Sequence, residues 1–386
     1  MSLDDEALAE LRELEAAHRL RVPRVLDGAP GPLAMLDGVQ VLNLASNDYL
    51  GLAADRRLAA AAEAELDHSG FGAGASRLIT GNHRAHVALE AALADWMRCS
   101  GVRLFNTGYA ANTGVLAALL RTGDAVFSDE LNHASIIDGC RLSRADVVVY
   151  PHLDLSVLEA ALARSTHRRR VVVSESLFSM DGDLADVAGL AALCTRHDAA
   201  LVLDEAHAIG VMGPEGRGGA AAAGVVPDIL IGTCGKALGT FGAFAATTRS
   251  IADLLWNRAR SFVFSTGMPP SIAAATLASL EIVRSSEGAA LRQTLVAHAR
   301  RFRELVPRAG GVHEGAIAPI IVGDDRRVMA LSARLLEDRV FVQGIRPPTV
   351  PPATARLRIG LGASMTPQQL EKAASSINNA LRQEST

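Results

Sequence analysis

Residues 171–207 read VVVSESLFSMDGDLADVAGLAALCTRHDAALVLDEAH, which is one complete strand–helix–strand repeat. The apolar runs at its two ends, 171–174 and 201–204, have the length and composition of buried strands, and residues 187–196 between them have a helical pattern. Polar residues follow the strands directly, as in Asp204-Glu-Ala-His207. The stretch therefore predicts two parallel strands joined by a helix, with polar side chains gathered at the carboxyl ends of the strands.

The same alternation extends over residues 46–284. Helical segments such as 86–97 and 111–120 separate further apolar runs of strand length, which are 102–105, 125–128, 147–150, 229–233 and 244–247. Runs that are apolar throughout are typical of strands covered on both faces. We therefore predict an α/β domain with a mostly parallel, seven-stranded sheet between helices.

The two ends of the chain have a different pattern. Residues 1–45 begin with a predicted amphipathic helix over 2–20, capped by Ser2, and continue to a short strand. Residues 285–386 mix helices with isolated strands. We expect the N-terminal segment to pack with a smaller, C-terminal α+β domain.

Composition excludes several classes of protein. With 386 residues and a net charge of −4, the chain lacks the basic excess of a nucleic-acid binder. The 4 cysteines have no Cys-x-x-Cys spacing, which argues against a zinc site or a disulfide framework. The acidic start is unlike a signal peptide, and no apolar stretch has membrane length. We therefore expect a cytoplasmic protein without a metal.

Lysine is almost absent. Among 38 Lys and Arg residues only Lys236 and Lys372 are lysines. Lys236 lies in a glycine-rich segment directly after the apolar run 229–233. Arginine keeps its proton in proteins, whereas a lysine can become a nucleophile, a base or a Schiff-base former. Lys236 is therefore the candidate reactive amine, with a solvated surface lysine as the alternative, which we expect for Lys372.

Other motifs have competing interpretations. Asp204-Glu-Ala-His207 matches a helicase box, but the upstream Gly-x4-Gly-Lys-Ser/Thr motif of that class is missing. Residues 70–75 loosely match a dinucleotide fingerprint, but they do not follow a strand, so we interpret them as a loop. Thr107-Gly108-Tyr109 lies between a strand and a helix, where a phosphate binds well, although a plain turn is the alternative. His133 by itself is no more than a histidine at a helix start.

Taken together, the motifs resemble the α-oxoamine synthase family of fold-type I pyridoxal-phosphate enzymes. The resemblance covers nearly the whole chain, through residues 46–52, 72–81, 90–96, 105–112, 129–135, 174–183, 204–207, 233–239, 264–270, 346–351 and 355–358. It implies the cofactor pyridoxal 5′-phosphate and the condensation of an amino acid with an acyl thioester, with loss of carbon dioxide. Segment 346–351 resembles the members that join L-alanine to a pimeloyl thioester in biotin biosynthesis.

The resemblance also implies roles for the cofactor-binding residues. Lys236 would hold the cofactor covalently, and Asp204 would keep its ring nitrogen protonated. His207 and Ser179 would hydrogen-bond the ring hydroxyl, and His133 would stack on the ring. The phosphate would be bound by Gly108, Tyr109 and Thr233.

Substrates and partners follow in the same way. Asn47 and Arg346 would bind the amino-acid carboxylate, and Arg21 would contact the acyl substrate with Thr349 nearby. A homodimer is implied, in which Ser265 and Thr266 could reach the partner's phosphate. The alternatives are a glycine acetyltransferase, a 5-aminolevulinate synthase or a serine palmitoyltransferase of the same family, an aminotransferase or lyase of the same fold, and a non-enzymatic or nucleic-acid-binding protein.

Borohydride reduction followed by peptide mapping tests the assignment of the reactive amine. We expect the pyridoxyl group on Lys236, since only this lysine follows a predicted strand. Lys236→Arg should bind the cofactor without a covalent bond and lose turnover, because a guanidinium neither forms the adduct nor accepts a proton. Label on Lys372, or on no lysine, would contradict the assignment.

Overall fold

The computed structural model describes residues 2–383. Its α-helices are α1 Leu3–Ala16, α2 Arg56–Ser69, α3 Arg84–Met97, α4 Gly108–Leu119, α5 Ala134–Ser143, α6 Leu155–Arg164, α7 Val187–Arg196, α8 Gly219–Ala222, α9 Arg249–Arg258, α10 Arg260–Val263, α11 Pro270–Arg284, α12 Ser286–Leu305, α13 Asp325–Glu337 and α14 Pro367–Gln383. Its strands are β1 Leu26–Asp27, β2 Leu33–Leu36, β3 Val39–Asn43, β4 Gly101–Phe105, β5 Ala125–Asp129, β6 Asp146–Tyr150, β7 Arg170–Glu175, β8 Ala200–Asp204, β9 Ile229–Thr233, β10 Ala243–Thr247, β11 Ile317–Gly323, β12 Val340–Phe341, β13 Gln343–Ile345 and β14 Ala355–Gly360.

The larger of two compact units comprises residues 50–179 and 183–293. Its sheet has seven strands in the order β4-β10-β9-β8-β7-β5-β6. Strands β6, β5, β7, β8 and β9 pair in parallel, and β10 runs antiparallel to both β9 and β4. The predicted mostly parallel, seven-stranded sheet is confirmed.

The apolar strands are explained by burial on both faces of this sheet. In β7, Val171 and Val173 belong to a core cluster that includes Val115 of α4. Val172, between them, belongs to a second cluster with Leu190 of α7. Successive strand residues point to opposite faces, so a strand between two helical layers has to be apolar throughout.

The smaller unit comprises residues 180–182, 294–383 and the described residues up to 49. Strands β1, β2, β3 and β12 form one sheet, and β11, β14 and β13 form an antiparallel one. Leu42 of β3 pairs in parallel with Val340 of β12, so both ends of the chain contribute to the first sheet. The unit boundaries fall at residues 49/50 and 293/294, whereas the boundaries expected from the sequence are 45/46 and 284/285, which lie 4 and 9 residues earlier.

Helix α1 is shorter than its predicted range and buries none of its residues. The hydroxyl of Ser2 caps it by accepting from the Asp5 N–H at 3.1 Å, as expected. It ends at Ala16 rather than residue 20, since His18 adopts a left-handed backbone with φ 56°. The apolar stripe read from the sequence is exposed, so periodicity located the helix but not its packing.

Residues 2–383 contain neither a membrane-spanning helix nor a metal-binding cluster. None of the helices there is both long enough and apolar enough to traverse a membrane. The same residues hold no group of three His, Cys, Asp or Glu side chains able to bind a metal ion.

A side chain of α3 forms a hydrogen bond with the outer edge of β4. Glu90 accepts a hydrogen bond from the Leu104 N–H at 3.0 Å. The same carboxylate pairs with Arg77 at 3.2 Å and with Arg103 at 3.4 Å. Burial lowers the pKa of Arg77, which is only 4% exposed, while Glu90 opposes that shift. Glu90 thus holds the strand that leads to Thr107 and α4.

Glu90→Gln should destabilise the protein by about 3 kcal/mol, because it leaves the buried Arg77 guanidinium without a counter-charge. Urea denaturation of the cofactor-free protein measures this loss. The matched control is Glu287→Gln, which removes an ion pair with Arg57 whose side chains are 50% and 51% exposed. This exposed pair should be worth about 1 kcal/mol or less. Equal losses for the two variants would contradict the role given to Glu90.

Candidate active site

Polar side chains gather at the carboxyl edge of the sheet. Glu175 ends β7, Asp204 ends β8 and Thr233 ends β9, and these strands run in parallel. His207 and Lys236 follow β8 and β9, and the Lys236 Nζ lies 2.7 Å from the His207 Nε2. The fold therefore brings the candidate amine and the Asp204-Glu-Ala-His207 motif to one place.

Lys236 lies in a turn that is closed by backbone hydrogen bonds between its own residues. The Lys236 carbonyl accepts from the Gly239 N–H at 2.8 Å, and the Cys234 carbonyl accepts from the Thr240 N–H at 2.9 Å. Gly239 has φ +66°, and a Cβ there would lie 2.5 Å from the Ala53 nitrogen. A side chain at this position would thus force the turn away from its neighbour.

Asp204 is a buried carboxylate with protein donors on both oxygens. It is 6% exposed. Its Oδ1 accepts from the Ala206 N–H at 2.8 Å, and its Oδ2 accepts from the Asn112 Nδ2 at 2.7 Å. These bonds hold the carboxylate in one orientation, which suits it to face a positively charged group.

Glu175 is a second buried acid at the same edge. It pairs directly with Asp204 across β7 and β8, so the two carboxyls project to the same face. Burial raises the pKa of Glu175 to about 8, and the Asp204 charge adds to the rise. Lys236 opposes it, as does the His133 N–H, which donates to Glu175 at 2.7 Å. Glu175 is therefore mostly neutral at pH 7.

His133 begins helix α5. Its Nδ1 lies 2.7 Å from the Ser135 Oγ and accepts from the Ser135 N–H at 3.2 Å. Burial lowers the pKa of His133; the Asp204 charge opposes this and Lys236 adds to it. His133 thus lies within electrostatic range of both residues and is a neutral imidazole.

The predicted phosphate residues lie at the same edge of the sheet or at the start of α4. Thr107 caps α4 by accepting from the Ala110 N–H at 3.0 Å. Apart from its chain neighbours and the backbone of its own helix, no part of the described chain lies within 4 Å of a Cβ placed on Gly108. The Thr233 Oγ1 donates to the Gly242 carbonyl at 3.1 Å. Tyr109 is half-exposed, and its hydroxyl donates to Asp138.

The loop that carries Ser179 is held by a residue that the sequence analysis did not single out. His152 contacts Asp129 at 2.9 Å through Nδ1 and Asp183 at 3.0 Å through Nε2. Burial opposes its charge, but the hydrogen bonds to these two carboxylates raise its pKa to about 10. A protonated His152 therefore connects the end of β5 to the end of the Ser179 loop. Ser179 itself is buried, and its backbone N–H lowers the pKa of Glu175.

His133, which is also predicted to bind the substrate, lies in the larger unit, and the other predicted substrate residues lie in the smaller unit. The Arg21 Nη2 donates to the Thr349 Oγ1 at 3.2 Å, and the Arg346 guanidinium donates to the His18 carbonyl. Burial lowers the pKa of Arg346, and the nearby Arg21 charge lowers it further. The structure thus places Arg21, Arg346 and Thr349 in one neighbourhood. Asn47 accepts from the Tyr49 hydroxyl at 3.1 Å.

Ser265 and Thr266 have a partner within their own chain. The Asn106 Nδ2 donates to the Ser265 Oγ at 3.0 Å and to the Thr266 carbonyl at 2.8 Å. Asn106 directly follows β4, so the two residues lie near the start of α4. Their predicted contact with a partner subunit's phosphate stays a prediction.

Two further site residues had no role in the sequence analysis. Asn112 lies inside α4 and Ser135 lies in the first turn of α5, and both are buried. The sequence signal for Asn112 was its polar side chain within α4, a helix that is otherwise built mostly from small and apolar residues. Sequence alone does not say which partner such a residue meets.

The chemistry of these side chains fits pyridoxal 5′-phosphate. An aldehyde is matched by the amine of Lys236, and a ring nitrogen is matched by the buried Asp204 carboxylate, which already has donors on both oxygens. A phosphate is matched by the capped N-terminus of α4, with open space at Gly108. Each part of the cofactor thus has a complementary group in the larger unit.

Comparison with known proteins agrees with this fit. The sequence profile named aminotransferase class I and II matches residues 39–377. The chain belongs to this family. Among its relatives, the 8-amino-7-oxononanoate synthase of Citrifermentans bemidjiense is 47% identical over 95% of both chains. The 8-amino-7-oxononanoate synthase of Anaeromyxobacter dehalogenans is 47% identical over 94% of this chain and 92% of its own. The resemblance to the α-oxoamine synthases is confirmed.

Solved structures of the family share the fold. A serine palmitoyltransferase from Sphingomonas wittichii superposes with a TM-score of 0.92 at 31% identity, covering 99% of this chain and 98% of its own. The S. paucimobilis serine palmitoyltransferase, solved with bound PLP, has a TM-score of 0.93 at 29% identity, covering 98% and 97%. The 8-amino-7-oxononanoate synthase of Francisella tularensis has a TM-score of 0.77 at 28% identity, covering 90% and 99%. The fold-type I prediction is confirmed.

Glu175→Gln should change the pH dependence of stability in the cofactor-free protein. A carboxyl whose pKa is raised in the folded state contributes stability below its unfolded pKa, and this is lost as pH rises toward about 8. Glutamine does not titrate, so the variant should gain on the wild type by about 3 kcal/mol between pH 5 and 8. Denaturation at both pH values measures the gain. The exposed control Glu63→Gln should show none, and a gain no larger than the control's would refute the raised pKa.

Proposed function

We propose that this chain condenses L-alanine with a pimeloyl thioester to give 8-amino-7-oxononanoate, a free thiol and carbon dioxide, in biotin biosynthesis. The observation that carries the proposal is the 47% identity over 95% of both chains to a curated 8-amino-7-oxononanoate synthase. The pair formed by Lys236 and His207, with Asp204 at the same edge of the sheet, supports it. The acyl carrier is either coenzyme A or a carrier protein.

The cofactor is pyridoxal 5′-phosphate. When bound, it supplies an electron-accepting ring that stabilises negative charge at the α-carbon of alanine. Asp204 would hold the proton on the ring nitrogen, because a buried carboxylate favours a neighbouring positive charge. Lys236 would hold the cofactor, then take the α-proton of alanine on Nζ and later return a proton to the same carbon. His207, at 2.7 Å from that Nζ, would orient it.

Further contacts would bind the ring hydroxyl, the ring face and the phosphate of the cofactor. His207 and Ser179 would donate to the ring hydroxyl oxygen, and the imidazole of His133 would stack on the ring face. Gly108, Tyr109 and Thr233 would bind the phosphate, with the positive end of the α4 dipole contributing about 0.3–1 kcal/mol. The neutral state of His133 suits stacking, since the ring it would cover carries a proton.

Substrate recognition would use the residues of the smaller unit. Arg346 would clamp the alanine carboxylate through its planar guanidinium, and Asn47 would donate to the same group. Arg21 would bind the acyl substrate, with Thr349 holding its guanidinium. The new bond joins the alanine α-carbon to the acyl carbonyl carbon, the thiol leaves, and the alanine carboxylate departs as carbon dioxide.

We also propose that the chain acts as a homodimer in the cytoplasm, as the resemblance implies. The second candidate function is a serine palmitoyltransferase, which the structural match at a TM-score of 0.92 and 31% identity favours. The two functions share the cofactor chemistry and differ in the amino acid and in the acyl chain. The higher identity to the 8-amino-7-oxononanoate synthases supports the first.

A substrate panel decides between them. We expect alanine with a pimeloyl thioester to react at least about ten-fold faster than other pairs, because the wrong acyl or amino-acid group loses pocket contacts. The panel combines alanine, glycine or serine with pimeloyl, acetyl, succinyl or palmitoyl thioesters, and mass spectrometry identifies the products. Serine with the palmitoyl thioester as the best pair would establish the second candidate, and glycine with the acetyl thioester a glycine acetyltransferase.

A further inference from the structure

Four side chains form a hydrogen-bond network within the larger unit, which we call the Asn112 network. The Asn112 Nδ2 lies 2.7 Å from the Asp204 Oδ2 and 2.9 Å from the Ser135 Oγ. The Ser135 Oγ lies 2.7 Å from the His133 Nδ1. One carboxamide therefore connects the acid proposed for the ring nitrogen to the imidazole proposed for the ring face.

The position of every proton in the Asn112 network follows from its chemistry. Asp204 offers only acceptors, so the Asn112 amide must direct its nitrogen there. That nitrogen also donates to the Ser135 Oγ, which leaves the serine hydrogen to donate to the His133 Nδ1. The Ser135 backbone N–H donates to the same atom at 3.2 Å. The His133 Nδ1 accepts both, so its proton lies on Nε2.

The orientation of Asn112 is maintained although one of its atoms is left unsatisfied. Among residues 2–383, the Asn112 Oδ1 is buried and has no hydrogen-bond partner. Rotating the amide by half a turn would move that oxygen against the Asp204 carboxylate, where two acceptors repel. The two hydrogen bonds of Nδ2 therefore select the observed orientation, although this orientation leaves Oδ1 without a hydrogen-bond partner among the described residues.

We propose that Asn112 is a positioning residue of the reaction, which orients Asp204 directly and, through Ser135, holds His133 as the neutral tautomer protonated on Nε2. Asp204 and His133 are the two groups proposed to face the cofactor ring, one at its nitrogen and one at its surface. A single amide thus orients both Asp204 and His133. The chemical meaning of this role rests on the proposed function, whereas the tautomer and the cofactor affinity are measured without any substrate.

Two variants separate the two arms of the Asn112 network. Asn112→Ala removes both arms, whereas Ser135→Ala keeps the bond between Asn112 and Asp204 and removes the hydroxyl that donates to His133. The control is Ser143→Ala, a buried serine at the other end of α5 whose hydroxyl donates to the Cys140 carbonyl at 2.6 Å. Long-range ¹H–¹⁵N spectra of histidine-labelled holoenzyme report the His133 tautomer, assigned by its loss in His133→Asn. Fluorescence titration of the apoprotein gives the dissociation constant of pyridoxal 5′-phosphate.

In the wild type and in Ser143→Ala, the His133 spectrum should show only the tautomer protonated on Nε2. Both Asn112→Ala and Ser135→Ala should populate, in part, the tautomer protonated on Nδ1, because the shorter bond from the Ser135 hydroxyl is lost or no longer oriented. Only the longer bond from the Ser135 backbone N–H, at 3.2 Å, then still favours the tautomer protonated on Nε2. Cofactor affinity should fall by roughly ten-fold or more in Asn112→Ala, because Asp204 loses a donor, and by less than about three-fold in Ser135→Ala.

A wild-type proton on Nδ1, or a tautomer unchanged in both variants, would overturn the proposal. An unchanged affinity in Asn112→Ala would overturn the arm to Asp204. If Asn112→Ala does not fold, Ser135→Ala alone still tests the tautomer. A failure of the substrate panel with these spectral results intact would instead refute the proposed function.

Discussion

Asp204 has its carboxylate at the end of a strand covered on both faces, where water cannot solvate the charge, so protein groups have to supply the donors. Asn112 and the Ala206 N–H do so, one on each oxygen. Ionising the adjacent Glu175 is unfavourable because this side chain is buried next to Asp204, and its pKa rises to about 8. One edge of the sheet thus holds two buried acids, of which Glu175 has the raised pKa and Asp204 has donors on both oxygens.

The turn that presents Lys236 is held by backbone hydrogen bonds. It is bonded within itself and to Gly242, directly before β10, where the Cys234 N–H donates to the Gly242 carbonyl at 2.8 Å. Glycine at residue 239 permits the close approach to Ala53. The backbone of the turn therefore fixes where the amine lies, 2.7 Å from the His207 Nε2. The proposed role, which is to hold a cofactor and then move a proton, depends on such a fixed position.

Much of the fold and part of the site could be predicted from the sequence. Strands β7 and β8 and helix α7 lie within a residue or so of their predicted bounds, because a strand buried on both faces has to be apolar throughout. Residues directly after these strands could be named as site candidates, since parallel strands share a carboxyl edge. By contrast, the helix expected over residues 2–20 is shorter, and its apolar stripe is exposed. Periodicity predicts a helix without saying what, if anything, covers it.

The sequence by itself determined the parallel α/β class, the one lysine at a strand end and the family, because all three depend on residue types and their order. Only the tertiary structure decided that Asn112 bonds Asp204 across 92 residues, that His152 joins Asp129 to Asp183, and that Glu90 closes the edge of β4. Each of these contacts depends on the direction of a polar side chain within a folded layer. Such a direction is set by packing between elements distant in the sequence, and no local pattern of residues encodes it.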